Sequence, residues 1–206
     1  MATVTRKIWG HTPDGEAIYK YILTNASGAS AVVSNFGAAI VSVNVPDRDG
    51  KLADVVLGYG KAEYYNGDGP CFGKCPGRFA NRIAGGRLTI AGKEYSLPIN
   101  NGPNHLHGGP EGFQNKVWES RKRNGGVEMK YTSPDGEMGY PGTVTVVARY
   151  EWSEANELIL TFSARSDAGT VINLTNHAYF NLNGKGNVLR HRLRLNADRY
   201  LPTDET

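Results

Sequence analysis

The sequence has few cysteines, no long apolar run and no strong excess of charge. Its two cysteines, Cys71 and Cys75, stand four residues apart without a second pair. That is too few for a structural zinc site, and it favours free structural thiols over a disulfide framework or a redox pair. No stretch is apolar and long enough to serve as a signal peptide or to cross a membrane. We therefore expect a cytoplasmic protein without a membrane partner.

The charge balance gives no sign of a nucleic-acid partner. The net charge is +3 over 206 residues, and the basic residues are scattered. The one local cluster lies in RHRLRL, residues 190–195, where arginines alternate with histidine and leucine. This alternation predicts a strand with a solvated basic face.

Helical periodicity is also scarce, whereas alternation of apolar and polar residues recurs. In TVTVVARYEW, residues 143–152, one face would carry valine, alanine, tyrosine and tryptophan, which is typical of a half-buried strand. ELILTF and RHRLRLNA repeat the pattern, and turn signals such as PDRDG and SPDGE separate the runs. With no linker visible, residues 1–206 are predicted to form one all-β domain, a large antiparallel β-sandwich.

A polar strand face is predicted in VINLTNHAYFNLNG, residues 171–184. If this segment is extended, its polar residues share one face, namely Asn173, Thr175, His177, Tyr179 and Asn181. Apolar residues, among them Leu174 and Phe180, would then point to the core. Such a face is costly to bury unless its groups are paired, and hydroxylated ligands such as sugars can pair them. The alternative is a surface strand that faces only water.

Two further stretches carry candidate site residues. NHLHGG places His105 and His107 two residues apart, hence on one face of an extended strand, for metal binding, proton transfer or structure. A metal would need a third ligand such as His177, but no recognised metal motif is present, so we favour acid–base chemistry and expect no metal. GRFANRIAGGR supplies Arg78, Arg82 and Arg87, which alone predict a solvated basic turn.

Read together, GRFANRIAGGRLTIAGKEYSLPINNGPNHLHGG, GYPG and VINLTNHAYFNLNG resemble the galactose mutarotase (aldose 1-epimerase) family. The resemblance extends over essentially the whole chain. It implies a galactose mutarotase-like supersandwich that interconverts the α and β anomers of free hexoses such as galactose and glucose. It implies no cofactor.

The resemblance also assigns roles to individual residues. The histidine of LTNHAYFNL, His177, would be the general acid toward the sugar ring oxygen, with His107 as a second catalytic and substrate-binding residue beside it. Asn81 and Arg82 of ANRIA, together with Tyr179, would bind substrate. His105 would be a supporting histidine.

The family's glutamate base and a sugar-binding aspartate lie in a portion that follows the point matching Thr206, so the domain is expected to be incomplete at its C-terminus. None of the carboxylates Glu137, Asp167, Asp198, Asp204 and Glu205 matches the base motif. Three functions remain open: a hexose epimerase, a noncatalytic sugar-binding module or inactive fragment, and an epimerase of phosphorylated hexoses. A small sugar is the expected partner of a monomer or weak dimer.

Overall fold

A computed structural model describes residues 1–67 and 69–202, and within them the regular structure is almost entirely β. Four short 3₁₀ segments span Ala62–Tyr65, Ala84–Gly86, Phe113–Asn115 and Glu137–Gly139. No helix in this described part is long and apolar enough to cross a membrane. The strands are β1 Thr3–His11, β2 Ala17–Thr24, β3 Ser30–Ser34, β4 Ala39–Pro46, β5 Leu52–Asp54, β6 Arg82–Ile83, β7 Arg87–Ile90, β8 Lys93–Ser96, β9 His105–Leu106, β10 Glu119–Arg123, β11 Gly126–Ser133, β12 Val144–Trp152 and β13 Leu158–Ser166.

Two antiparallel sheets dominate the architecture. Strands β1 to β5 form a five-stranded sheet in chain order, and β10 to β13 form a four-stranded sheet, also in chain order. Every neighbouring pair in both sheets is antiparallel. Chain-order antiparallel pairing needs only short turns, which agrees with the many turn signals between the strands.

The main core lies between these two sheets. Tyr21, Leu23 and Val33 from the first sheet share one buried cluster with Met129 and Trp152 from the second. On β12 the alternating residues predicted to face inward are all at most 3% exposed, namely Val144, Val146, Ala148, Tyr150 and Trp152. The predicted antiparallel β-sandwich is therefore confirmed, because its apolar faces pack against each other.

Smaller pairings stand beside the sandwich and carry the candidate site. Strand β6 pairs with β9, and β7 forms a hairpin with β8. The segment 171–184 lies outside the named strands and is attached by single bridges, Phe79 to Asn173 and Val56 to Phe180.

The predicted apolar face of 171–184 is only half right. Leu174 and Ala178 pack against the main core, whereas Phe180 and Leu182 are 54% and 70% exposed. Because the segment is paired only at single bridges, its side chains need not alternate between two faces along its whole length.

One strand prediction is wrong, and the prediction for the cysteines is confirmed. Residues 190–195 form no strand, and Leu193 is 85% exposed. A strand requires a neighbour, and no described residue pairs with this segment. Cys71 and Cys75 are buried thiols that form no disulfide within the described residues, and burial raises the pKa of Cys75 to about 11.

Candidate functional site

The two histidines of NHLHGG do not share a face, contrary to the prediction from their spacing. Strand β9 ends at Leu106, and His107 has a left-handed backbone with φ of 54°. This conformation breaks the period of two, so that the two rings leave the chain in different directions.

His105 is a fully buried histidine whose two ring nitrogens are both engaged. Its Nδ1 lies 2.7 Å from the carbonyl oxygen of Pro98, and its Nε2 lies 2.7 Å from the hydroxyl of Tyr140. No ring nitrogen is left for a metal or a substrate. These contacts are those of a supporting histidine.

The glycine pair that follows allows the loop to approach its neighbour. A Cβ on Gly108 would lie 1.8 Å from the carbonyl oxygen of Gly77, closer than any real contact. Gly108 also has φ of 79°. Only glycine therefore lets the His107 loop lie against the segment that leads to Asn81.

His107 and Asn81 hold each other through two hydrogen bonds. The backbone N–H of Asn81 donates to His107 Nδ1 at 2.9 Å, and the backbone N–H of His107 donates to the Asn81 carbonyl at 3.1 Å. Asn81 also has a left-handed backbone, with φ of 71°. Each residue thus fixes the unusual conformation of the other.

These contacts determine the protonation of His107. Because Nδ1 accepts a hydrogen bond, the neutral ring carries its proton on Nε2. Burial, the neighbouring His177 and the Arg82 guanidinium lower the pKa of His107 to about 4. At neutral pH the ring is an uncharged hydrogen-bond donor.

His177 lies directly beside His107. Their ring centroids are 5.3 Å apart and the rings are nearly perpendicular. The backbone N–H of His177 donates to the Lys74 carbonyl at 2.8 Å, and its own carbonyl accepts from Gly73 at 3.0 Å. In the described part of the chain neither ring nitrogen of His177 has a hydrogen-bond partner, so both are available to a ligand.

Tyr179 lies beside His177, and Arg82 lies near His107. The Tyr179 ring is 5.2 Å from His177 and 5.1 Å from Phe72, and it is 41% exposed. Arg82 donates through Nε to the side chain of Asn101 at 2.9 Å. Its two terminal nitrogens have no hydrogen-bond partner among the described residues, which leaves the fork of the guanidinium open.

The prediction of a solvated basic turn fails for Arg78. This residue is 1% exposed and donates to the carbonyls of Pro141 and Gly142, both at 2.9 Å, and to the Ser133 hydroxyl at 2.6 Å. Carbonyls from a distant loop accept from both terminal nitrogens, while Nε has no hydrogen-bond partner among the described residues. Local composition could not indicate this burial. Arg87 is exposed, as predicted, and pairs with Glu94.

Sequence reasoning missed Asn176, which anchors the His177 segment. Its side-chain amide donates to the Gly73 carbonyl at 2.6 Å, and its side-chain oxygen accepts from the Ala178 backbone at 3.0 Å. An asparagine next to a candidate site histidine was the available signal, because asparagine side chains commonly bond to nearby backbone.

No described carboxylate hydrogen-bonds to His107 or His177. Glu137 accepts from Tyr131 and Ser133, and Asp167 accepts from the Thr143 backbone. Asp198 is exposed, while Asp204 and Glu205 lie outside the described residues. Among residues 1–67 and 69–202, no three His, Cys, Asp or Glu side chains come together as metal ligands.

The sequence matches known proteins over its whole length. The family model described as aldose 1-epimerase matches residues 19–206. The chain is 43% identical to galactose mutarotase of Mus musculus over 208 residues, covering 100% of this chain and 60% of that protein. It is 36% identical to aldose 1-epimerase of Escherichia coli K12, covering 94% of this chain and 56% of the relative. The chain thus spans about 60% of the length of its curated relatives.

Solved structures agree with the fold. A galactose 1-epimerase from Lactobacillus acidophilus superposes with a TM-score of 0.79 at 31% identity, over 88% of this chain and 54% of the other. An aldose epimerase homologue from C. elegans gives a TM-score of 0.76 at 31% identity, over 90% and 52%. The family resemblance predicted from the motifs is confirmed.

Proposed function

Because the chain belongs to the aldose 1-epimerase family, we propose that the full-length protein interconverts the α and β anomers of free hexoses such as galactose and glucose, within hexose metabolism. The observation that carries this proposal is the His107–His177 pair, whose rings lie 5.3 Å apart beside Asn81 and Arg82. We propose a cytoplasmic protein, monomeric or weakly dimeric, in which residues 1–206 belong to a single domain.

Anomer exchange requires two proton transfers on one sugar. An acid protonates the ring oxygen while a base removes the proton of the C1 hydroxyl, and the open-chain aldehyde then rotates and recloses with the roles reversed. The acid must be able to hold and release a proton near neutral pH. Imidazole meets that requirement.

His177 is the better candidate for the acid. Its ring nitrogens have no hydrogen-bond partner in the described part of the chain, so one of them can reach the ring oxygen. His107 is committed through Nδ1 to the Asn81 backbone, and its lowered pKa keeps the ring uncharged. We therefore assign His107 to binding, as a donor through Nε2–H, although the sequence motif suggested a catalytic role as well.

Arg82 and Tyr179 complete the proposed binding surface. The open fork of the Arg82 guanidinium can donate to two hydroxyl oxygens, which suits it to binding. The exposed ring of Tyr179 supplies an apolar wall beside His177. The side-chain oxygen of Asn81 accepts from the Arg82 backbone at 2.9 Å, so the side-chain nitrogen is the group proposed to donate to the substrate.

The base is proposed to be a glutamate in the part of the family's sequence that this chain does not span. Glu137 and Asp167 are both engaged in hydrogen bonds elsewhere in the fold, so neither is assigned this role. Without a base the site would bind a sugar and turn it over poorly, which is the sugar-binding alternative.

Substitution of His177 tests the proposal directly. In the full-length protein, His177→Asn should lower kcat by about a hundredfold or more, because a positioned general acid contributes on that scale. The rate is measured by polarimetry with fresh α-D-glucose and α-D-galactose. His11→Asn, which changes an exposed histidine at the end of β1, is the control and should keep the full rate. A His177→Asn protein with near-normal rates would contradict the assignment.

A further inference from the structure

Tyr140 of the GYPG motif and His105 form a buried pair that the proposed chemistry does not use. Their exposures are 1% and 0%, and the Tyr140 hydroxyl lies 2.7 Å from His105 Nε2. The Pro98 carbonyl can only accept, so His105 Nδ1 carries the proton and Nε2 accepts from Tyr140. Burial raises the pKa of Tyr140 well above its ordinary value, which keeps its hydroxyl a donor.

Arg78 fixes the loop that carries Tyr140. Its guanidinium donates to the carbonyls of Pro141 and Gly142, the two residues after Tyr140, and lies 5.6 Å from the Tyr140 ring centroid. Arg78 itself stands three residues before Asn81. The 133–142 loop is therefore attached to the segment that leads into the site.

His105 connects the Tyr140 loop to the site residues through the pairing of β6 with β9. In the pairing of β6 with β9, His105 lies opposite Ile83 and Leu106 lies opposite Arg82. His107 follows two residues later and exchanges its two hydrogen bonds with Asn81. The ring of His105 is thus held within the β6–β9 pair, and this pair joins the segment of Asn81 to the segment of His107.

We propose that Tyr140 is a positioning residue for His107, acting through its hydrogen bond to His105. The kinetic part of this inference rests on the proposed function, in which His107 is a binding donor. Loss of the Tyr140 hydroxyl leaves a buried nitrogen of His105 without its donor, so the ring reorients and β9 shifts against β6. The effect reaches His107 because its backbone and ring are both bonded to Asn81.

The test compares two substitutions that each remove one tyrosine hydroxyl from the same region. Tyr140→Phe removes the donor to His105, whereas Tyr131→Phe removes the hydroxyl that donates to Glu137 and does not contact His105. In the full-length protein, Tyr140→Phe should lower kcat/KM on the order of tenfold, mainly by raising KM, since His107 acts in binding. Tyr131→Phe should leave kcat/KM within about twofold.

Nitrogen-15 NMR of the histidine rings gives a readout that a general loss of stability would not move. We expect the His105 and His107 ring signals to shift in Tyr140→Phe and to stay in place in Tyr131→Phe, with urea unfolding measured for both. Unchanged His107 signals in Tyr140→Phe, or equal changes in both variants, would overturn the inference. If the wild-type protein converts no sugar but the His107 signals move only in Tyr140→Phe, the positioning role stands and the proposed function fails.

Discussion

The chemistry open to a side chain depends on which of its polar atoms already have hydrogen-bond partners in the fold. His105 and His107 carry the same imidazole, yet within the described residues both nitrogens of His105 are engaged and only one of His107 is. Arg78 and Arg82 differ in the same way, because backbone carbonyls occupy the guanidinium of Arg78 while the fork of Arg82 stays open. Residue type names the possible chemistry, and the contacts select it.

Arg82 offers a direct test of this distinction. Arg82→Ala should weaken galactose binding in the full-length protein by about 1.5–3 kcal/mol, because it removes hydrogen bonds from a charged donor. Calorimetric titration measures the affinity. Arg87→Ala, which removes an exposed arginine paired with Glu94, should leave the affinity unchanged. Equal affinities in the wild type and Arg82→Ala would assign Arg82 to structure alone.

His107 makes stability depend on pH in a defined window. Its folded pKa is about 4 against an ordinary value of 6.5, chiefly because of burial. The unfolded chain therefore binds the proton first as pH falls, so this contribution is fully present above pH 6.5 and is lost on the way to pH 4. The loss is at most about 3 kcal/mol, and partial exposure of the ring reduces it.

Urea unfolding at a series of pH values checks this expectation. His107→Gln should show a smaller fall in the free energy of unfolding between pH 7 and pH 4 than the wild type. His11→Gln, an exposed histidine on β1, should show the wild-type fall. An unaltered pH dependence in His107→Gln would mean that the ring is not held neutral by the fold.

At the scale of elements, the site depends on a segment that is not a strand. Residues 171–184 are held by two bridges and by the side chain of Asn176, which bonds to Gly73 and Ala178. Backbone hydrogen bonds from His177 to residues 73 and 74 add to this attachment. The position of His177 is therefore set by a few individual hydrogen bonds and not by the continuous backbone pairing of a β-strand.

Asn176→Ala should loosen this attachment. We expect a loss of about 1–2 kcal/mol in the free energy of unfolding, because the Ala178 backbone N–H loses its acceptor, whereas the Gly73 carbonyl keeps the Ile40 N–H. A fall in kcat/KM on the order of tenfold should accompany it as His177 moves. Urea unfolding and polarimetry measure the two effects, with Asn183→Ala in the same segment as the control. Wild-type kinetics in Asn176→Ala would show that the backbone bonds alone position His177.

The sequence predicted elements where one face is buried along a whole strand, as in β12. Prediction from the sequence failed where a partner far away in the chain determines whether a segment forms a strand or a side chain is buried. Residues 190–195 alternate as a strand does but find no neighbour among the described residues, and Arg78 is buried because carbonyls of residues 141 and 142 surround it. The left-handed backbone of His107 was also invisible, because nothing in NHLHGG marks a histidine for that conformation.

The candidate site followed a similar division. The motifs identified Asn81, Arg82, His107 and His177, and the fold brings them together. What holds them in place, Asn176 on one side and Tyr140 with His105 on the other, depends on contacts 35 or more residues apart. The position of Asn176 beside His177 marked a residue able to bond to backbone, but its partner Gly73 and the Tyr140–His105 contact leave no local pattern and are seen only in the assembled fold.

At the scale of the whole molecule, the apolar surface of residues 180–201 makes the behaviour of the isolated 206-residue chain predictable. Leu189, Leu193 and Leu195 are 85%, 85% and 68% exposed, and Phe180 is 54% exposed. Relatives of the chain are longer, since it spans about 60% of their length. Exposed leucines of this kind promote association, and the proposed site, in which His177 would be the acid, has no assigned base for the second proton transfer.

We therefore expect residues 1–206, expressed alone, to associate and to catalyse anomer exchange poorly. Gel filtration reports the association, and polarimetry of fresh α-D-glucose reports the rate, each beside the full-length protein. Leu193→Lys with Leu195→Lys should reduce the association without restoring the rate, because charge on the exposed face opposes contact between copies but supplies no base. A monodisperse 206-residue chain with full rates would show that a carboxylate within it serves as the base, and Glu137 and Asp167 would then be the first residues to substitute.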